Sequence, residues 1–149
     1  MVGSGPASRS PLYKHILVPT DGTALSNRAV REGALLAVSL RADLTIITVT
    51  EPPPSPLSEV AIVRPPGAAQ TDAILQEAAR IARITGVEPA TRHRESDQPW
   101  QAIIDAAREA GCDLIAMASH GRNGVAALIL GSQTTKVLTH SRIPVIVYR

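Results

Sequence analysis

Aromatic side chains are scarce. Tyr13, Trp100 and Tyr148 are the whole set, and there is no phenylalanine. Surfaces that hold single-stranded nucleic acid stack bases on several aromatics, so that function lacks its material here. Cysteine is almost missing as well. The lone Cys112 excludes an internal disulfide and a thiolate zinc site, and fits a reducing, cytoplasmic setting. No apolar run approaches the ~20 residues of a membrane span. The opening MVGSGPASRSPLYK has no apolar stretch of the kind a secretory leader needs, so neither an anchor nor a leader is expected. An excess of one charge is lacking too. The formal net charge is +2, and Arg9 and Lys14 account for it. The remainder carries thirteen basic and thirteen acidic groups, which argues against a broad nucleic-acid footprint.

What is present is enough for one folded unit. The chain has 149 residues, 44% of them apolar, which suits a single domain with its own core. That core must come from Ile, Leu, Val and many Ala, a composition for helices lying close on a sheet. Residues 1–12, rich in Gly, Ser and Pro, are expected to form a disordered tail, and residues 13–149 the domain.

From Lys14 onward, short β-branched runs alternate with helical patterns. His15 to Pro19 is an unbroken apolar run, as in a strand buried on both faces. Thr20-Asp21-Gly22 turns the chain, and Thr23 is placed to cap a helix. That helix reaches Leu40, with Leu25, Ala29, Gly33, Leu36 and Leu40 on one stripe. Asp43 to Val49 reads as the second strand. Residues 51–67 hold six of the twelve prolines and predict a long crossover loop. A second helix is expected over Ala68 to Thr85 with Gly86 as its stop, then a polar edge strand over Val87 to Arg94. Pro99 opens a third helix that Gly111 ends. Asp113 to Ala118 is the fourth strand, Ser132 to His140 a short helix, and Pro144 to Tyr148 the last strand.

This alternation implies an α/β fold: an open five-stranded parallel sheet, order 3-2-1-4-5, with helices on both faces. In that order the ends of strands 1 and 4 flank the topological switch point, where open α/β sheets bind ligands. Topology therefore selects two loops, Pro19 to Gly22 and Ala118 to Ser132. The second contains Gly121, Gly124 and Gly131. Either these glycines simply permit a surface turn, or they let backbone N–H groups converge on an anion. Ser132 then opens a helix whose free N–H groups favour phosphate; Thr134, His120 and Arg122 are further candidates. GxxxxGK[ST] does not occur, and no GxGxxG follows a strand, which disfavours the P-loop and dinucleotide readings.

The string Met117-Ala118-Ser119-His120-Gly121, then nine residues to Gly131-Ser132, resembles the nucleotide-binding signature of the universal stress proteins. That signature runs glycine, two residues, glycine, nine residues, glycine, then serine or threonine. The resemblance extends from Lys14 to Tyr148 and includes ILVPTDGTALSNRAV, DLIAMASHGR, GSQTTKVL and IPVIV. It implies a Rossmann-like fold related to the adenine-nucleotide alpha hydrolases, binding ATP. Pro19, Thr20 and Asp21 would line the adenine and ribose, and Val49 would flank the base. Met117 and Ala118 would form the floor. His120, Gly121 and Arg122 would approach the phosphates, and Gly131, Ser132, Gln133 and Thr134 would hold them. A Mg2+ ion would sit mainly on the phosphates. The resemblance also implies a homodimer through Pro144 to Tyr148. The sequence departs from the signature at its first glycine, which is Ala118.

Three functions follow: an ATP-binding stress or signalling module, an enzyme on the same scaffold, and a scaffold that binds partners without nucleotide. The second finds little support. There is no GxSxG elbow, no cluster with metal-ligand spacing, and Lys136 is the sole lysine after the first strand begins, so at most slow ATP hydrolysis is expected. Asp21 is either a ribose ligand or a helix cap, and His120 either a ligand or a loop residue bonding backbone. His15, His93 and His140 read as structural, Cys112 as inert, and Trp100 as a helix anchor.

Overall fold

The computed structural model describes residues 12–53, 55, 67–121 and 130–149. The expected N-terminal tail, most of the proline-rich loop, Arg122 and Gly124 lie outside them. The elements are β1 (His15–Pro19), α1 (Ala24–Leu40), β2 (Asp43–Thr50), α2 (Ala68–Thr85), β3 (Ala90–Glu95), α3 (Pro99–Glu109), β4 (Leu114–Ala118), α4 (Ser132–His140) and β5 (Val145–Tyr148). All neighbouring strands are parallel, in the order β3-β2-β1-β4-β5.

The apolar runs become central strands because both of their faces are covered. Ile16, Leu17 and Val18 have no exposed surface. Alternation sends Ile16 and Val18, with Leu44, Ile46, Leu114 and Ala116, into one core against α1 and α2. Leu17, Ile47, Ile115 and Met117 enter the other, against α3 and α4. The alanine-rich stripe of α1 lets it lie near the sheet. A Cβ on Gly33 would come within 2.6 Å of Val18 Cγ2.

Helix ends follow their local chemistry. Thr23 caps α1, accepting from Ser26 N. Gly86, at φ 117°, ends α2 in the left-handed region, which costs glycine little. Pro99 occupies the first turn of α3. The third strand begins at Ala90 rather than Val87. Val87 N donates to Ala82 O and so belongs to the end of α2, and Pro89 has no N–H for a ladder.

The N-terminal edge of the sheet is tied by Asp113, whose carboxylate accepts from Lys14 N and His15 N at 2.9–3.1 Å. Burial alone would raise this carboxyl, but the backbone donors outweigh it and hold it below its ordinary value. Cys112 is buried, and desolvation pushes its thiol up to about 11; it is not poised as a nucleophile. His15 Nε2 and His93 Nε2 each lie 2.7 Å from a threonine hydroxyl, of Thr45 and Thr50.

Candidate functional site at the switch point

β1 and β4 are hydrogen-bonded neighbours at the centre of the sheet, and their chains leave in opposite directions, to α1 and toward α4. The loop after β1 is fixed by its own polar side chains. Thr20 N donates to Ile47 O at 2.8 Å, and Thr20 Oγ1 accepts from Gly22 N and lies 3.0 Å from Ser26 Oγ. Asp21 Oδ1 accepts from Thr23 N at 3.0 Å, Thr23 Oγ1 at 2.7 Å and Ser26 Oγ at 2.8 Å. Asp21 is therefore integral to the start of α1 as well as to the switch point. Ser26, buried at the centre of this network, was missed by sequence reasoning; its signal is the Thr23-x-x-Ser26 spacing behind an aspartate.

The two loops meet at Asp21 and Gly121. A Cβ on Gly121 would stand 2.5 Å from Asp21 Oδ2, so this glycine makes room for a carboxylate of its own chain. Gly131 closes the other side. Its N–H donates to Ser119 O at 2.7 Å, and a Cβ there would lie 3.0 Å from His120 Cα and 3.3 Å from Ser119 O. Thr134 Oγ1 donates to Ala118 O at 2.9 Å, pinning the first turn of α4 to the end of β4. Ser119 N donates to Tyr148 O at 2.8 Å, and Ser119 Oγ lies 3.1 Å from the half-buried His120 Nδ1.

The start of α4 has the features an anion requires. Its N-cap, Gly131, has no side chain to satisfy the helix N–H groups, and its first turn has no acidic residue. Ser132 there is exposed. Unsatisfied N–H groups at a helix start carry partial positive charge. Gln133 Oε1 instead accepts from Trp100 N at 3.0 Å, reaching α3.

Other expected residues divide by sheet face. Met117 is buried in the α3/α4 core with half-buried Val49 against it, and alternation sets Pro19 on that face. Ala118, 6% exposed, alternates to the face of Ala116, toward α1. The structure thus brings together Pro19, Thr20, Asp21, Val49, Met117, Ala118, His120, Gly121, Gly131, Ser132 and Thr134 around one end of β1 and β4, while Gln133 spans from α4 to α3. Among the described residues, no group of three or more His, Cys, Asp or Glu could hold a metal ion, and no helix is long and apolar enough to cross a membrane.

Residues 12–149 match the sequence profile of the universal stress protein family. The chain belongs to that family. A universal stress protein of Thermus aquaticus is 30% identical over 142 residues, covering 93% of this chain and all of the relative. One from Mycobacterium tuberculosis is 31% identical over 147 residues, and those residues span 46% of that longer protein. Among solved structures, a universal stress protein in complex with cAMP superposes with a TM-score of 0.73 at 29% identity, covering 92% of this chain and 97% of the other. A family member from Burkholderia pseudomallei gives 0.70 at 26% identity, covering 91% and 96%. The order β3-β2-β1-β4-β5 is thus the fold of this universal stress protein.

Proposed function

We propose that this universal stress protein binds ATP at the switch point and acts as a nucleotide-responsive module in cytoplasmic stress signalling. The observation that carries the reading is the meeting of the two loops. Asp21 stands against Gly121, and beside them the α4 N-terminus offers N–H groups with no capping side chain. The likeness to a family member crystallised with cAMP supports an adenine nucleotide as ligand. In this reading Pro19, Val49 and Met117 contact the base, and Asp21 accepts from ribose hydroxyls. Gly131, Ser132 and the N–H groups of Gln133 and Thr134 receive the phosphates, with His120 and Arg122 beside them. Mg2+ rides mainly on the phosphates, as a hard cation does.

The assembly proposed is a homodimer through β5. All four β5 residues are half-buried at the sheet edge, and an apolar edge favours pairing with another chain. The opposite edge, β3, reads ATRHRE and is mostly exposed; its charges discourage pairing.

Calorimetry with Mg-ATP tests the nucleotide reading. Saturable binding is expected, with stabilisation of about 2.7 kcal/mol when ligand is a hundredfold above its dissociation constant. A flat titration and an unchanged melting temperature would overturn it. Steady-state phosphate release, expected to be slow or nil, separates a binding module from an ATPase.

A further inference from the structure

A cavity of about 310 Å³, with no residue of the switch-point loops in its lining, is formed by Trp100, Gln101, Ile104 and Arg108 of α3, and by His140, Arg142 and Ile143 at the end of α4 and the turn into β5. We propose that this groove is a second binding site, for a small planar aromatic carboxylate.

The walls are preformed. Trp100 N is held by Gln133 Oε1 at 3.0 Å. His140 Nδ1–H donates to Lys136 O at 2.8 Å, which fixes the imidazole, and its ring centroid lies 4.5 Å from that of the indole at 34°. Ser141 Oγ donates to Ile143 O at 2.7 Å and accepts from Ile143 N at 3.0 Å, so the opposite wall is pinned as well. Small-molecule sites are typically concave, largely apolar and preformed, with a few convergent polar groups, and the volume here is at the lower end of their range.

The lining selects the ligand class. The half-buried Trp100 and Ile143, with Ile104 at 9% exposure, supply the apolar part of the lining, the bed proposed for a flat ring. The charged lining residues are cationic. Arg142 is exposed and forms no ion pair with the described residues. Arg108 shares Asp105 at 2.7 Å, with a 70% exposed side chain. A pair so exposed contributes little, and Asp105 Oδ1 also accepts from Gln101 Nε2 at 2.9 Å, which holds that carboxylate on α3. Guanidinium groups take carboxylates in planar, two-pronged fashion. A ring on the apolar bed with its carboxylate toward Arg142 and Arg108 satisfies both halves of the groove; a neutral ring or an anion without a ring satisfies one.

Trp100 is the sole tryptophan, so its indole N–H gives one resonance to follow on the full chain. The probes are 2-naphthoate, its neutral amide 2-naphthamide, and inorganic phosphate. The expected result is a saturable shift with naphthoate, at least tenfold weaker binding of naphthamide, and no shift with phosphate. Arg142→Glu should weaken naphthoate at least tenfold while leaving the unliganded spectrum dispersed. Absence of a saturable naphthoate shift, equal binding of the amide, or indifference to Arg142→Glu would each overturn the proposal. So would an indole resonance that moves with protein concentration alone, which would mean that a second copy covers the groove.

Discussion

Replacing Gly121 with alanine puts a methyl group 2.5 Å from Asp21 Oδ2 and 3.5 Å from its carboxyl carbon. Gly121 has no positive φ, so alanine meets no backbone penalty and the cost is steric. Asp21 cannot turn aside cheaply, because its other oxygen holds Thr23 N, Thr23 Oγ1 and Ser26 Oγ. Net hydrogen-bond contributions are ~0.5–1.5 kcal/mol each, and overpacking typically costs ~1–3 kcal/mol. A shift that loosens part of this network should cost about 1–2 kcal/mol. For a domain of this size that is a fall in melting temperature of roughly 3–7 °C. The assay is a double-mutant cycle in urea: wild type, Gly121→Ala, Asp21→Ala and the double variant. Asp21→Ala carries its own cost, since Thr23 N–H loses its acceptor, but it removes the obstacle. Gly121→Ala should then cost nothing in that background, giving a coupling of about 1–2 kcal/mol, well above the ~0.3–0.5 kcal/mol scatter of independent sites. A Gly121→Ala penalty equal in both backgrounds, or none in either, would refute the contact as the reason for glycine at this position.

Three further predictions follow from other parts of the chain. Gly131→Val should abolish ATP binding by calorimetry, because its side chain must displace the His120 backbone 3.0 Å away; wild-type affinity would remove Gly131 from the site. Val147→Lys should shift a β5-paired dimer to monomer in sedimentation at micromolar concentration, and a wild-type protein already monomeric there would refute the pairing. Asp113 has a depressed carboxyl, so its stabilising effect is present above the unfolded aspartate pKa of ~3.9 and is lost as pH falls through the lower folded value. Asp113→Asn should destabilise by about 1 kcal/mol at neutral pH and flatten the acid limb of stability against pH; an unchanged acid limb would contradict this.

Much of the fold was legible because its signals are local. The runs at β1, β2 and β4 read as doubly covered strands, and Thr23, Gly86 and Pro99 mark helix ends by chemistry that acts within a few residues. The start of β3 was not legible, since whether Val87 joins a strand or closes α2 depends on one hydrogen bond to Ala82. At the switch point, topology and glycine spacing found the right loops but not the reason for each glycine. Gly121 yields to a carboxylate one hundred positions earlier in the chain, and Gly131 to the His120 backbone; both are contacts between distant segments. The same holds for Gln133 and Thr134, whose side chains bond Trp100 N and Ala118 O. Ala118 is the case where the residue and the signature differ. If its methyl crowds a ligand, Ala118→Gly should tighten ATP binding a few-fold and Ala118→Val should abolish it, read by the same calorimetry.

The central claim is that nucleotide lies between the β1 loop and the start of α4. A backbone amide spectrum of the full chain titrated with Mg-ATP tests it most directly. The account predicts saturable shifts at Ser132, Gln133 and Thr134 together with Thr20 and Asp21, at one nucleotide per chain. Shifts confined to other residues, or none at saturating ATP, would contradict it.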